Sequence, residues 1–149
     1  MSAQNPVVTY AIIGACVALW VGDILTKGMI TQYLGFTPIH GLYQPWRILT
    51  TAFLHVNLMH IAFNMVSLYA VGRALEPALG RGPYFCLYLL SALGGTLGVL
   101  GWVLIDPSTA LTVTVGASGA IFGLFGSVFV LQRAAGIDVR AVVGLLAVN

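Results

Sequence analysis

The chain has 149 residues, of which 59% are hydrophobic and only 7% are charged. Charged residues make up about a quarter of a typical soluble domain, so six basic and four acidic side chains are too few to solvate a folded surface. The composition therefore excludes a cytosolic enzyme, a disordered tail, a nucleic-acid-binding protein and a disulfide-stapled secreted module. It indicates one integral membrane domain.

Candidate membrane spans follow in chain order, because about 20 apolar residues are needed to cross the hydrocarbon core of a bilayer. We predict spans at about 7–25, 51–71, 83–105, 115–131 and 140–149. Glu76-Pro77 and Asp106-Pro107 are the predicted stops after the second and third spans. The fifth is too short to cross, so we expect the chain to be the front part of a longer protein. The predicted fold is an all-α polytopic membrane helix bundle with about four complete transmembrane helices and the start of a fifth.

Basic residues indicate the orientation of this bundle. Four arginines lie in connections on the same side as the N-terminus: Arg73, Arg81, Arg133 and Arg140. Lys27 and Arg47 lie on the opposite side. Because cytoplasmic loops carry an excess of Lys and Arg, we predict a multi-pass protein with a cytoplasmic N-terminus.

The connection between the first two spans, residues 27–50, is rich in aromatic residues and proline and poor in charge. Tyr and Trp side chains are enriched at the membrane–water interface. An ordinary aromatic belt explains this composition, and so does a segment that lies on or partly in the outer leaflet. We call residues 27–50 the interfacial loop.

Polar residues recur on one face of the second predicted span, at Asn57, His60, Asn64 and Ser67. Polar groups are costly in hydrocarbon, so this face is predicted to point inward. It forms either hydrogen bonds between helices or the wall of a wet cavity. His55 lies about 140° around a helix from His60, so we expect the two rings to diverge and expect no metal site.

Glycines form a stripe in the fourth predicted span: Gly116, Gly119, Gly123 and Gly126. Small residues at this spacing let another helix approach closely, and Gly94 and Gly98 of the third span have the same spacing. We expect the partner of the stripe to be a helix beyond residue 149.

Ser118 lies between these glycines but off the stripe. It is either a packing residue or a nucleophile. With a cytoplasmic N-terminus, the second and fourth spans both start on the outer side. Ser118 is then about one turn into its span and His60 two to three turns into its own, so both can line one outward-facing cavity.

Taken together, the motifs resemble those of rhomboid intramembrane serine proteases. The matching residues, in order, are Trp46-Arg47, His55, His60, Asn64, Glu76, Gly80-Arg81 and Gly116-Ala117-Ser118-Gly119. Each motif is weak alone, whereas the ordered set covers most of the chain.

The resemblance implies that Ser118 is the nucleophile, and that His60 and Asn64 bind the oxyanion together with the Ser118 N–H. It implies that Gly116, Gly119 and Phe122 shape the site. The remaining matches are implied to be structural: Trp46, Arg47, His55, Glu76 and Arg81.

The family's general base is a histidine on a later helix, so we expect residues 1–149 alone to be inactive. The implied reaction is cleavage of a transmembrane segment of another membrane protein, within the lipid bilayer and toward its outer face. No cofactor, metal or nucleic acid is implied, and the oligomeric state is not predicted.

Two other functions remain open at this point. One is a catalytically inactive rhomboid-like protein that binds transmembrane helices. The other is a small transporter or channel, although the paired charges or inverted repeat that such a protein needs are not evident in the sequence.

Overall fold

The structure, a computed structural model, describes residues 5–41, 43–138, 140 and 144. Seven α-helices and no strand occur in that part of the chain. The helices are α1 (Val7–Leu25), α2 (Met29–Leu34), α3 (Pro38–Gly41), α4 (Arg47–Thr50), α5 (Leu58–Leu79), α6 (Arg81–Ile105) and α7 (Ser118–Ala134). Two 3-10 turns join them, at Thr51–Phe53 and Pro107–Leu111.

Three helices, α1, α5 and α6, are long and apolar enough to cross a membrane. The fourth predicted span corresponds to α7, which is apolar but has only 17 residues. These helices confirm the predicted all-α membrane helix bundle. The predicted fifth span, at 140–149, lies outside the described residues except for positions 140 and 144.

The second span differs from the prediction at both ends. Helix α5 begins at Leu58, seven residues after the predicted start, because the Asn57 side chain accepts a hydrogen bond from the His60 N–H at 2.8 Å and caps the helix. Asn57 is thus a cap and not part of the inward polar face. The helix also continues through Pro77, which falls in its last turn, and ends before Gly80, whose φ is +86°.

The glycine stripe packs within the described chain, so the expectation of an external partner is wrong for two of its members. A Cβ atom built on Gly119 would lie 3.1 Å from the Gly95 Cα, and one built on Gly123 would collide with Ser91. Gly95 and Ser91 lie four residues apart on α6, so one small-residue face receives α7. Gly126 has no neighbour within 4 Å of its Cβ position among the described residues.

The contact on α6 uses Gly95, and the glycines that the sequence pattern singled out do not take part. Built Cβ atoms on Gly94 and Gly98 meet nothing within 4 Å among the described residues. Each residue turns a helix by about 100°, so neighbouring glycines face different directions. The rotation of α6 about its axis decides which one meets α7.

A buried carboxylate attaches α1 to α5. Glu76, which is 2% exposed, accepts hydrogen bonds from the backbone N–H groups of Val8 and Thr9 and from the Thr9 hydroxyl, each at 2.8 Å. The first N–H groups of a helix have no acceptor within it and carry a partial positive charge. A carboxylate from α5 therefore completes the first turn of α1.

The interfacial loop folds into the short helices α2, α3 and α4. The buried Arg47 side chain donates to the carbonyl oxygens of Gln32 at 2.8 Å and Gly35 at 2.6 Å. Thr50 Oγ1 donates to the Leu34 carbonyl oxygen at 2.7 Å. These bonds satisfy carbonyls at the end of α2, so the loop has a defined fold of its own.

Candidate active site

Ser118 is the first residue of α7, not one turn inside a helix as predicted. The first N–H groups of α7 have no acceptor within the helix, and the helix dipole places partial positive charge there. Ser118 also lines a cavity of about 190 Å³. A hydroxyl at this position lies beside a cavity and beside N–H donors suited to a developing negative charge.

Gly116 brings Ser118 and His60 to one place. A Cβ atom built on Gly116 would lie 2.8 Å from both Cε1 and Nε2 of His60, and 3.6 Å from Ser118 Oγ. The φ of Gly116 is +131°, a backbone conformation that residues with side chains rarely adopt. Gly116 precedes the helix, so its role is to leave room for the imidazole and not to extend the stripe. The polar groups of α5 and α7 therefore meet across a residue without a side chain.

Asn64 lies one turn after His60 on the inward face of α5. Its side chain is 4% exposed, and Nδ2 donates to the His60 carbonyl oxygen at 2.8 Å. The structure thus places the His60 ring against Gly116, two residues before Ser118, and Asn64 one turn after His60 on the same helix. Among the described residues, no hydrogen bond links Ser118 Oγ to either side chain.

The rings of His55 and His60 do not diverge. Their centroids are 5.1 Å apart at an interplanar angle of 62°. The prediction was wrong because His55 lies before α5, where the helical angle between the two positions does not apply. His55 is 2% exposed, and burial lowers its pKa to about 4, so the ring beside His60 is neutral.

Two other segments of the chain, at Phe36 and Thr51, bond to the residues before Ser118, a feature that sequence reasoning missed. Phe36 and Thr114 form an isolated bridge, with N···O distances of 3.2 and 2.7 Å. The Gly116 N–H donates to the Thr51 carbonyl oxygen at 3.0 Å, and Thr51 Oγ1 donates to the Thr114 carbonyl oxygen. The only sequence signal was the alternating Thr and Val residues at 112–115, which favour an extended backbone.

The remaining predicted site residues lie at different distances from Ser118. Phe122 lines the same cavity, whereas Glu76 is roughly 24 Å along α5 from His60. Trp46 is half exposed, and its Nε1 lies 3.5 Å from the Tyr33 carbonyl oxygen. Arg81 is the exposed first residue of α6.

The sequence of this chain is similar to those of known proteins of one family. A family model described as the Rhomboid domain matches residues 42–148. The protein YdcA of Bacillus subtilis is 36% identical over 129 residues, which cover 81% of this chain and 60% of that protein. The rhomboid protease GluP of Bacillus subtilis is 37% identical over 82 residues, which cover 55% of this chain and 15% of GluP.

A rhomboid protease from another organism is also similar to this chain. The rhomboid protease AarA of Providencia stuartii is 33% identical over 88 residues, which cover 53% of this chain and 31% of AarA. The chain thus spans 60% or less of the length of these three relatives. The Rhomboid domain match includes Ser118, His60, Asn64 and Gly116. The chain belongs to the rhomboid family of integral membrane proteins.

Proposed function

We propose that the protein is an intramembrane serine endopeptidase in which Ser118 is the nucleophile. One observation carries the proposal: the His60 ring and the Ser118 hydroxyl lie 2.8 and 3.6 Å from the same point, the Cβ position of Gly116, at the start of α7. A serine that only fills space between helices needs neither a neighbouring imidazole nor a position at the N-terminus of a helix. An acyl-transfer site needs hydrogen-bond donors near its nucleophile, and an imidazole and a helix N-terminus can both supply them.

In the proposed reaction, Ser118 Oγ attacks the carbonyl carbon of the scissile peptide bond and forms a tetrahedral intermediate. The new oxyanion accepts hydrogen bonds from the Ser118 N–H and from the side chains of His60 and Asn64. Collapse of the intermediate breaks the C–N bond and leaves an acyl-enzyme, and the amine leaves with a proton. Water then hydrolyses the ester and regenerates the Ser118 hydroxyl.

The proton of Ser118 needs an acceptor, and His60 is poorly suited to that role. Its ring is the group placed against Gly116, where the oxyanion would form, and one imidazole cannot easily both donate there and accept from Oγ. By family resemblance the base is a histidine on a helix beyond residue 149. Residues 1–149 alone would then be inactive.

The proposed substrate is a transmembrane segment of another membrane protein. Peptide carbonyls of a helix are already hydrogen-bonded, so the segment must unwind before Ser118 can attack. The cavity beside Ser118 is lined largely by small residues: Ala92, Gly95, Gly119 and Ala120. With a cytoplasmic N-terminus, cleavage would occur toward the outer face of the membrane.

A fluorophosphonate serine probe tests the proposal on the complete protein in detergent. We expect labelling of the wild type, loss of labelling in Ser118→Ala, and normal labelling in Ser127→Ala. Ser127 is the matched control, because it lies on the same helix and its hydroxyl donates to the Gly123 carbonyl oxygen at 3.0 Å. Equal labelling of wild type and Ser118→Ala would reject Ser118. No labelling of any variant would instead support the inactive, helix-binding alternative.

A further inference from the structure

Thr51 links the interfacial loop to the segment that precedes the proposed nucleophile. It is 5% exposed and begins the 3-10 turn between α4 and α5. Its hydroxyl donates to the Thr114 carbonyl oxygen, and its own carbonyl oxygen accepts from the Gly116 N–H at 3.0 Å. One residue therefore makes two hydrogen bonds to the three residues 114–116.

Gly116 needs such external restraints. Because glycine has no side chain, it adopts positive and negative φ with similar ease, so the residue type alone does not select the φ of +131° observed at Gly116. In the observed conformation, the side of Gly116 where a Cβ atom would stand faces the His60 ring at 2.8 Å, and rotation of this backbone would turn that side away from the ring. The geometry of the proposed oxyanion pocket thus depends on what holds residues 114–116.

The segment around Thr51 is itself hydrogen-bonded to α6. The Tyr88 hydroxyl donates to the carbonyl oxygen of the next residue, Ala52, at 3.0 Å. Thr96 Oγ1 donates to the Ile48 carbonyl oxygen at 2.9 Å. Both donors lie on α6, which also packs against α7 through Gly95. The position of Thr51 is therefore fixed relative to α7 by side chains of α6.

We propose that Thr51 is a positioning residue whose hydroxyl holds residues 114–116 in the conformation that the oxyanion pocket requires. This inference rests on the proposed protease function. Thr51 lines the same cavity as Ser118 but forms no hydrogen bond with Ser118 or His60 in the described part of the chain, and it acts through its hydrogen bonds to Thr114 and Gly116. Through Phe36, whose backbone pairs with Thr114, the same link ties the fold of the interfacial loop to the site.

The neighbouring Thr50 provides a matched control. Its hydroxyl also donates to a carbonyl oxygen, that of Leu34 at 2.7 Å, but this bond stays within the interfacial loop. Thr50→Val and Thr51→Val therefore remove the same chemical group and two hydrogen bonds each: those of Thr50 go to the Leu34 and Trp46 carbonyl oxygens, and those of Thr51 join it to the Thr114 carbonyl oxygen and the Phe36 N–H. Only Thr51→Val removes a bond to residues 114–116, and it leaves the backbone bond from the Gly116 N–H in place.

The test compares Thr51→Val, Thr51→Ser and Thr50→Val in the complete protein, using cleavage of a transmembrane model substrate per folded molecule. We expect Thr51→Val to lower kcat roughly three- to tenfold with little change in KM, because one buried hydrogen bond that supports the transition state is lost. Thr50→Val should stay within about twofold of wild type. Thr51→Ser, which keeps the hydroxyl, should recover most of the rate.

Hydrogen exchange at the Gly116 amide is the second measurement, and it does not depend on activity. We expect faster exchange in Thr51→Val than in Thr50→Val at equal thermal stability. Equal kcat values and equal exchange in the two valine variants would overturn the proposal. So would failure of Thr51→Ser to restore the rate. If the wild type does not cleave but Gly116 exchanges faster only in Thr51→Val, the protease function fails while the link through Thr51 stands.

Discussion

The contact between α6 and α7 makes a sharp prediction for two adjacent glycines. We consider Gly95→Ala and Gly94→Ala, which add the same methyl group to the same helix. A Cβ atom on Gly95 would lie 2.9 Å from the Gly119 Cα, whereas one on Gly94 meets nothing within 4 Å among the described residues. The two variants therefore differ in whether the new methyl group faces α7 and the cavity beside Ser118, which Gly95 lines and Gly94 does not.

The expected size of the effect follows from that distance. Non-bonded carbon atoms pack best at about 3.5–4.0 Å, so Gly95→Ala must push the two backbones apart by roughly 0.6 Å or more. Such overpacking typically costs about 1–3 kcal/mol. Gly94→Ala should instead be neutral or stabilising by up to about 1 kcal/mol, because alanine is the better helix former.

Thermal unfolding in a mild detergent measures the difference. We expect Gly95→Ala to melt below wild type and Gly94→Ala at or above it. Because Gly119 follows Ser118 directly, displacement of α7 should also slow fluorophosphonate labelling, by up to about a hundredfold for a shift near 1 Å. Equal melting temperatures for the two variants would refute the direct contact between α6 and α7 at Gly95.

Two further predictions use the same measurements. Gly116→Ala should abolish labelling of Ser118, because its Cβ would lie 2.8 Å from His60 Nε2 and its φ of +131° is strained for alanine. Gly126→Ala is the control. Its Cβ would have no neighbour within 4 Å among the described residues, so labelling of Ser118 should be normal. Glu76→Gln should lower the free energy of unfolding by about 2–3 kcal/mol, and Thr9→Val, which removes one of three bonds to the carboxylate, by about 1 kcal/mol. Glu76→Gln and Thr9→Val should both show normal labelling of Ser118 per folded molecule. A larger loss of stability in Thr9→Val than in Glu76→Gln would contradict the conclusion that the Glu76 carboxylate holds the start of α1.

Much of the architecture could be predicted from the sequence. Apolar runs of about 20 residues have few solutions other than membrane helices, so three of the predicted spans recur as long apolar helices. The start of α5 could not be predicted this way. Residues 51–57 are nearly as apolar as the helix itself, and only the cap made by the Asn57 side chain shows where the helix begins.

The candidate site likewise contains residues that the sequence predicts and one that it does not. Ser118, His60 and Asn64 could be selected from the order of motifs, because their residue types carry the chemistry. Thr51 could not, since its role depends on a hydrogen bond to a residue 63 positions away. A threonine hydroxyl that bonds to a distant carbonyl leaves no local pattern.

Composition and motif order therefore determined by themselves that this is a helical membrane protein of one family with a candidate serine nucleophile. These properties depend on which residues are present and on the thickness of a bilayer, and both can be read along the chain. Only the tertiary structure decided that Gly95 meets α7 while Gly94 does not, and that Thr51 reaches Thr114. Rotation of a helix about its axis and contacts between distant residues are set by packing in three dimensions, which a linear pattern does not contain.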